Sequence, residues 1–314
     1  MSMLAEDSAK PNESVRPTAI PKHDGFSGWS SHYPFASHFL DVPAGRLHYI
    51  DEGAGEPLVM VHGNPTWSFF YRHLITGLRG QNRCLALDHM GCGFSDKPVD
   101  FSYRLADHVA NLERFLVALD LQNVTLVVHD WGGAIGMGAA LRQKERIKRL
   151  VILNTAAFPA DRMPWRIKVC RTPVLGPLAV RGANLFVRAA LRMAMGDPRR
   201  MTRNNAKGYV LPYDSWKNRI AIQKFVEDIP MDSSHPSYHQ LEEIGKGLQS
   251  FSSLPVFIAW GMKDFCFTPW FLEKWKSVFP DAEVHQYAKA GHYLLEEEGE
   301  DIRRKLRRFL NRNP

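Results

Sequence analysis

Five side chains carry the chemistry in this sequence: Asp130, Asp264, His292, Asn64 and Trp131. Asp130 follows the apolar run Asn123–His129 and is itself followed by Trp131-Gly132-Gly133. A residue at a tight strand-to-helix turn points its side chain into a cleft, and small neighbours permit the turn. This is the nucleophile-elbow pattern, with a carboxylate where a serine usually stands. The exchange selects a reaction. Serine attacking a saturated carbon leaves an ether that water does not readily cleave, whereas aspartate leaves an ester that water can open at its carbonyl. Asp130 therefore suits displacement at saturated carbon through a covalent alkyl-enzyme ester. The competing structural role is capping of the following helix.

The other four residues also follow short apolar runs. His62-Gly63-Asn64-Pro65 comes after Pro57–His62. The backbone N–H of this loop and that of Trp131 are positioned to form an oxyanion hole. The Asn64 amide and the Trp131 indole add two neutral donors suited to a departing halide or another small anion that must later be released. Turn formation before Pro65 and core packing are their structural alternatives. Gly261-Met262-Lys263-Asp264 follows Pro255–Trp260, and Gly291-His292 comes shortly after Glu283–Tyr287. The chain order is then nucleophile, acid, histidine. His292 would activate water against the ester, and Asp264 would hold its tautomer and stabilise the imidazolium. The alternative acid position, after Arg149–Leu153, reads Asn154-Thr155-Ala156-Ala157-Phe158 and offers no carboxylate.

Positioning these residues requires a regular scaffold. Phe39–Val42 and Arg46–Asp51 read as a hairpin around Pro43-Ala44-Gly45. Pro57–His62, Arg83–Asp88, Asn123–His129, Arg149–Leu153, Pro255–Trp260 and Glu283–Tyr287 read as short buried strands. Helical spacing joins Leu105, Val109, Leu112, Leu116 and Leu119, and further helices fall at Gly132–Arg142, Trp270–Phe279 and Glu297–Leu310. Strands alternating with helices predict an α/β architecture, a mostly parallel sheet flanked by helices, with ligands beyond the carboxyl ends of the strands. The expected organisation is a flexible arm over 1–36, a core built from 37–154 and 236–314, and an inserted helical cap over 155–235. Within the cap, Leu178–Met195 reads as one amphipathic helix carrying Arg181, Arg188 and Arg192 on one face.

Composition narrows the function. Of 314 residues, 45% are apolar and 23% charged, the balance of a globular protein, which excludes a disordered or fibrous chain. No stretch reaches the length a membrane helix needs, and residues 1–36 lack the apolar core of a secretory signal. Cys84, Cys92, Cys170 and Cys266 are far apart and show no metal-ligand spacing. They read as reduced thiols of a cytosolic protein that needs no metal or cofactor. The net charge of +7 is concentrated: residues 155–235 hold 14 basic and 6 acidic side chains, while the rest of the chain is net −1. Such a surface suits anionic lipid, an acidic protein partner or an acidic substrate, or is simply solvated. No recognition motif supports nucleic-acid binding.

His62-Gly63-Asn64-Pro65-Thr66, the run from Asp88 to Pro98, and His129-Asp130-Trp131-Gly132 resemble the local signatures of the α/β-hydrolase fold, and within it the haloalkane dehalogenase family, over about residues 37–311. Asp130, Asp264 and His292 with Asn64 and Trp131 are similar to that family's third subgroup. The resemblance implies a small apolar substrate, water and halide as reaction partners. The same pattern is shared with β-lactone decarboxylases of long-chain olefin synthesis, and the apolar, Arg-rich cap suits a lipid-like substrate as well as a haloalkane. Cleavage of carbon–halogen bonds is the first expectation and lactone decarboxylation the second. Epoxide hydrolases also resemble it through Asp-Trp-Gly-Gly, with Tyr209 and Tyr213 available as acids, but Asn64 departs from their pattern. A non-catalytic binding protein is the remaining alternative. Tryptophans Trp165 and Trp216 are available to a cap contribution, and oligomerisation is left open.

Overall fold

A computed structural model describes residues 31–314 together with the backbone of Arg16–Pro17. One nine-stranded sheet organises the chain: β1 (Arg16–Pro17), β2 (His38–Val42), β3 (Gly45–Glu52), β4 (Pro57–Val61), β5 (Arg83–Leu87), β6 (Val124–Asp130), β7 (Ile147–Thr155), β8 (Val256–Gly261) and β9 (Glu283–Tyr287). Their spatial order is β1-β2-β3-β5-β4-β6-β7-β8-β9. The pairings linking β4 through β9 are parallel, and β1, β2 and β3 extend the sheet antiparallel beyond β5. Every residue of β4 and of β6 is buried, as expected of central strands covered on both faces. The connection from β4 runs to β5 on one side, and β6 then returns to β4's other side. The strand order therefore reverses between β4 and β6, where a crevice opens beyond their carboxyl ends. Asn64 and Asp130 sit at those two ends.

Helices cover the sheet. Leu105–Ala118 buries Leu105, Val109, Leu112, Phe115 and Leu116, a stripe at helical spacing whose side chains each contribute roughly 1.5–3 kcal/mol on burial. Trp131–Arg142 is built of small residues and packs close to the sheet and to Tyr238–Gly247. Pro269–Val278 and Leu294–Arg312 complete the flanks. Outside residues 155–235, the sequence pattern overlooks two α-helices, Arg72–Leu78 and Tyr238–Gly247, because neither presents a long apolar repeat.

Three expectations change in detail. Most of the arm lies outside the described residues, but its end does not hang free: Tyr33 and Phe35 are buried, with Tyr33 against Trp67 and Phe69. The continuous helix over Leu178–Met195 is broken. A π-type turn over Leu178–Gly182 ends at Ala183, Asn184 adopts left-handed φ +53°, and a new helix runs Leu185–Met193. Asn184 tolerates that conformation and anchors it by donating to the Tyr213 carbonyl at 3.1 Å. Arg181 consequently leaves the common face, with its guanidinium 4.6 Å from the Trp216 ring, while Arg188 and Arg192 are exposed. Among the described residues no helix is long and apolar enough to cross a membrane.

Candidate active site

Asp130 is the last residue of β6 and the residue before the helix Trp131–Arg142, at φ +53° and ψ −125°. A non-glycine residue there costs on the order of 1–3 kcal/mol, held only because its surroundings over-determine it. The Thr155 hydroxyl donates to the Asp130 carbonyl. A side chain at Gly63 would collide with the Asp130 carboxylate, and one at Gly132 with the Val61 carbonyl. These two glycines let β4 and the elbow approach closely.

The two carboxylate oxygens have different partners. Oδ1 accepts the backbone N–H of Asn64 at 2.6 Å. The Trp131 N–H, at the helix N-terminus, also donates to the carboxylate. Oδ2 lies 3.6 Å from His292 Nε2. One oxygen is thus fixed and the other turned toward His292. Burial raises the Asp130 carboxyl above its ordinary range; the nearby imidazole and the two N–H donors offset only part of this.

His292 is held from three sides. Its Nδ1 donates to Asp264 Oδ2 at 2.7 Å, its carbonyl accepts from His129 Nε2 at 2.9 Å, and its ring stacks on Phe267. Burial disfavours the imidazolium, yet the Asp264 and Asp130 carboxylates outweigh it and lift His292 above the usual histidine range. Asp264 Oδ1 accepts the N–H groups of Cys266 at 2.7 Å and Phe267 at 3.1 Å. The structure brings Asp130, Asp264 and His292 into one connected group.

Asn64 and Trp131 both border the cavity at Asp130. Asn64 differs in detail from the expectation of a donor aimed wholly into the cleft. Its Nδ2 donates to the Ile222 carbonyl at 3.2 Å, which uses one of two amide hydrogens and ties the loop to the helix Ile220–Glu227. Of the tryptophans, Trp165 lines the cavity, whereas Trp216 is stacked with Arg181 away from it. Tyr209 and Tyr213 are fully buried and engaged elsewhere: the Tyr209 hydroxyl donates to Glu296 at 2.6 Å and that of Tyr213 to the Thr66 carbonyl at 3.1 Å.

Two positioning residues escape the sequence reading. Asn154, at the vacant acid position, donates to Asp264 Oδ2 at 3.0 Å and bridges to Gly261 through both its amide atoms. Buried Glu297 accepts the N–H groups of Gly291, Gly196 and Asp197 at 2.7–2.9 Å, clamping the His292 loop onto the segment Gly196-Asp197. Neither has a local sequence signal, since a lone Asn or Glu says nothing of the distant backbone it will meet.

The cavity over Asp130 has a volume of about 430 Å³ and mainly apolar walls, among them Trp165, Phe186, Ala190, Val226 and Phe265. A smaller chamber of about 130 Å³ also reaches Asp130.

Residues 56–299 match the model of the alpha/beta hydrolase fold family, and the chain belongs to that family. Its relatives are more particular. It is 44% identical over 284 residues to the cis-3-alkyl-4-alkyloxetan-2-one decarboxylase of Shewanella oneidensis, covering 88% of this chain and 89% of the relative. The protein of the same name from Xanthomonas campestris pv. campestris is 43% identical, covering 90% and 98%. Haloalkane dehalogenase 2 of Mycobacterium bovis is 31% identical, covering 84% and 91%. Among solved structures, the haloalkane dehalogenase DatA from Agrobacterium tumefaciens C58 superposes with a TM-score of 0.80 at 27% identity, covering 88% of this chain and 97% of that one.

Proposed function

We propose that this chain decarboxylates long-chain cis-3,4-dialkyl β-lactones, with Asp130 as the nucleophile. The observation that carries the reading is a large apolar cavity whose reactive wall presents one carboxylate oxygen, in a chain 44% identical to a protein named for that reaction. This reverses the order expected from sequence, where carbon–halogen cleavage came first.

Asp130 Oδ2 attacks the saturated ring carbon that carries the ring oxygen. The carbon–oxygen bond breaks, its electron pair leaves with the oxygen, and a free carboxylate forms as ring strain is released. That carboxylate then departs as CO₂. The electrons of its carbon–carbon bond form the double bond, and the bond to Asp130 breaks to return the carboxylate. Attack with inversion followed by anti departure keeps the two alkyl chains cis. Water and protons are neither consumed nor produced. His292, whose affinity for a proton the Asp264 and Asp130 carboxylates raise against the cost of burial, is suited as imidazolium to balance the charge that moves between Asp130 and the substrate carboxylate.

Carbon–halogen hydrolysis is the second reading, favoured by Asn64 and Trp131 beside the nucleophile and by the relative at 31% identity. There Asp130 displaces halide. Esterification removes its charge, which lowers the affinity of His292 for a proton and frees it to activate water. The oxyanion then develops on Oδ1, at the N–H of Asn64, with the Trp131 N–H also donating to the carboxylate. Epoxide opening is disfavoured because Tyr209 and Tyr213, its expected acids, are committed to Glu296 and Thr66. We assign 37–154 and 236–314 to the core and 155–235 to a cap that walls the cavity.

The test is a paired assay of wild type and Asp130→Ala. A cis-dialkyl β-lactone should yield equal amounts of CO₂ and cis-olefin with wild type and none with the variant. Halide release from 1-bromoalkanes without any CO₂ from the lactone would overturn the reading in favour of the second.

A further inference from the structure

We propose that the smaller chamber is a second alkyl-chain subsite, so that the two substrate chains lie in separate arms diverging from Asp130. The assignment deepens the decarboxylase reading and rests on it for the identity of the substrate. Asp130, Trp131, Ile167, Ile229 and Cys266 border both chambers, so the nucleophile stands at their junction. The larger arm, about 430 Å³, runs beneath Phe186, Ala190 and Val226. The smaller arm, about 130 Å³, runs past Ala134, Ala156, Ala160, Leu241 and Phe271, with Arg162 among its lining residues. Ala134 belongs to the first turns of the helix that Asp130 precedes, and Phe271 to the flanking helix Pro269–Val278. Core helices therefore supply one wall of this arm, and residues of the cap, Ala156 to Ile167 among them, supply the other.

Geometry explains why two arms are needed. A four-membered ring with cis substituents on adjacent carbons throws both chains out from the bond that must sit against Asp130. A single tube would have to take both chains side by side. A forked cavity lets each chain shed its apolar surface separately while the reacting carbon stays within reach of Oδ2. The alanines of the smaller arm leave room that larger side chains would occupy, and the roughly threefold difference in volume makes the arms unequal. The site should therefore distinguish which ring carbon bears the longer chain.

The experiment fills each arm in turn with Ala160→Phe and Ala190→Phe, two half-buried positions, and adds the milder Ala156→Val in case the first variant does not fold. The substrates are β-lactones with two long chains and the two isomers in which one or the other chain is cut to methyl. Filling the smaller arm should lower kcat/KM at least about tenfold for the two-chain lactone and spare one methyl isomer, and Ala190→Phe should spare the opposite isomer. Binding to wild type and variants of an unreactive symmetrical long-chain ketone, against its methyl ketone, is measured by calorimetry. Equal loss on all substrates and both ketones, or no change from either filling, overturns the two-arm assignment. If wild type turns over no lactone yet Ala160→Phe still discriminates the two ketones, the arms stand and the decarboxylase reading falls.

Discussion

Asparagine in place of Asp264 tests the link on which the active-site geometry depends. Asp264 is buried, and its two oxygens accept four donors: His292 and Asn154 on one, the N–H groups of Cys266 and Phe267 on the other. An amide has only one acceptor end. Whichever way it turns, two donors face an NH₂ group that cannot accept. The loss of even one charge-assisted bond is worth about 1.5–3 kcal/mol, or roughly 10- to 150-fold in rate. The consequences differ between reactions. In decarboxylation His292 serves as a counter-charge, so a loss of that size is expected. In ester hydrolysis His292 must present the correct tautomer to water, and the loss should approach the ~10⁴-fold seen for the same exchange in serine-protease triads. The assay compares CO₂ and halide release by Asp264→Asn and wild type, with circular dichroism to verify the fold. A folded variant with wild-type turnover would refute the claim that Asp264 holds His292.

The pH dependence separates the two chemistries by sign. Asp130 reacts only when ionised, so both activities should fall as pH drops through its carboxyl value, which lies above 3.8. The Asp264 and Asp130 carboxylates favour the imidazolium of His292, so decarboxylation should weaken as pH rises through its raised value, whereas ester hydrolysis needs neutral His292 after Asp130 has lost its charge and should strengthen through a lower value; kcat profiles for both substrates measure this. Asn64→Ala removes a donor beside the nucleophile and should cost halide release about 2–4 kcal/mol of barrier; an unchanged rate would make Asn64 structural. Glu297→Gln leaves one of three backbone N–H groups poorly satisfied and should lower kcat more than it raises KM, with rescue by Glu297→Asp excluded by its shorter reach. Glu296→Ala strands the buried Arg72 guanidinium, 2.6 Å from the carboxylate, and should cost about 3–5 kcal/mol of stability in denaturant unfolding.

The strands were legible because their apolar runs are short, continuous and bounded by turn residues. Glu283–Tyr287 is found at its expected bounds, and the other core strands differ from theirs by one or two residues. Residues immediately after those strands were legible as site candidates because a parallel sheet gathers its carboxyl-end loops on one side. The segment 155–235 was less readable. Its apolar residues face both the cavity and solvent, so periodicity does not reveal that Asn184 breaks the run between Leu178 and Met195. Asn154 and Glu297 were invisible for a different reason: each acts on backbone groups remote in sequence, and only the folded register brings those groups within reach. The fork in the cavity belongs to the same class, since Ala134, Ala160 and Leu241 converge from three separate elements.

The central claim is that the Asp130 carboxylate bonds to a substrate carbon. The direct measurement is peptide mass spectrometry on His292→Phe after incubation with a long-chain 1-bromoalkane used as an alkylating probe. The account predicts one alkyl group, added with loss of HBr, on the peptide containing Asp130, and none when Asp130→Asn is combined with His292→Phe. An unmodified Asp130 peptide, or an alkyl group found instead on the neighbouring Cys266 thiol, would contradict it.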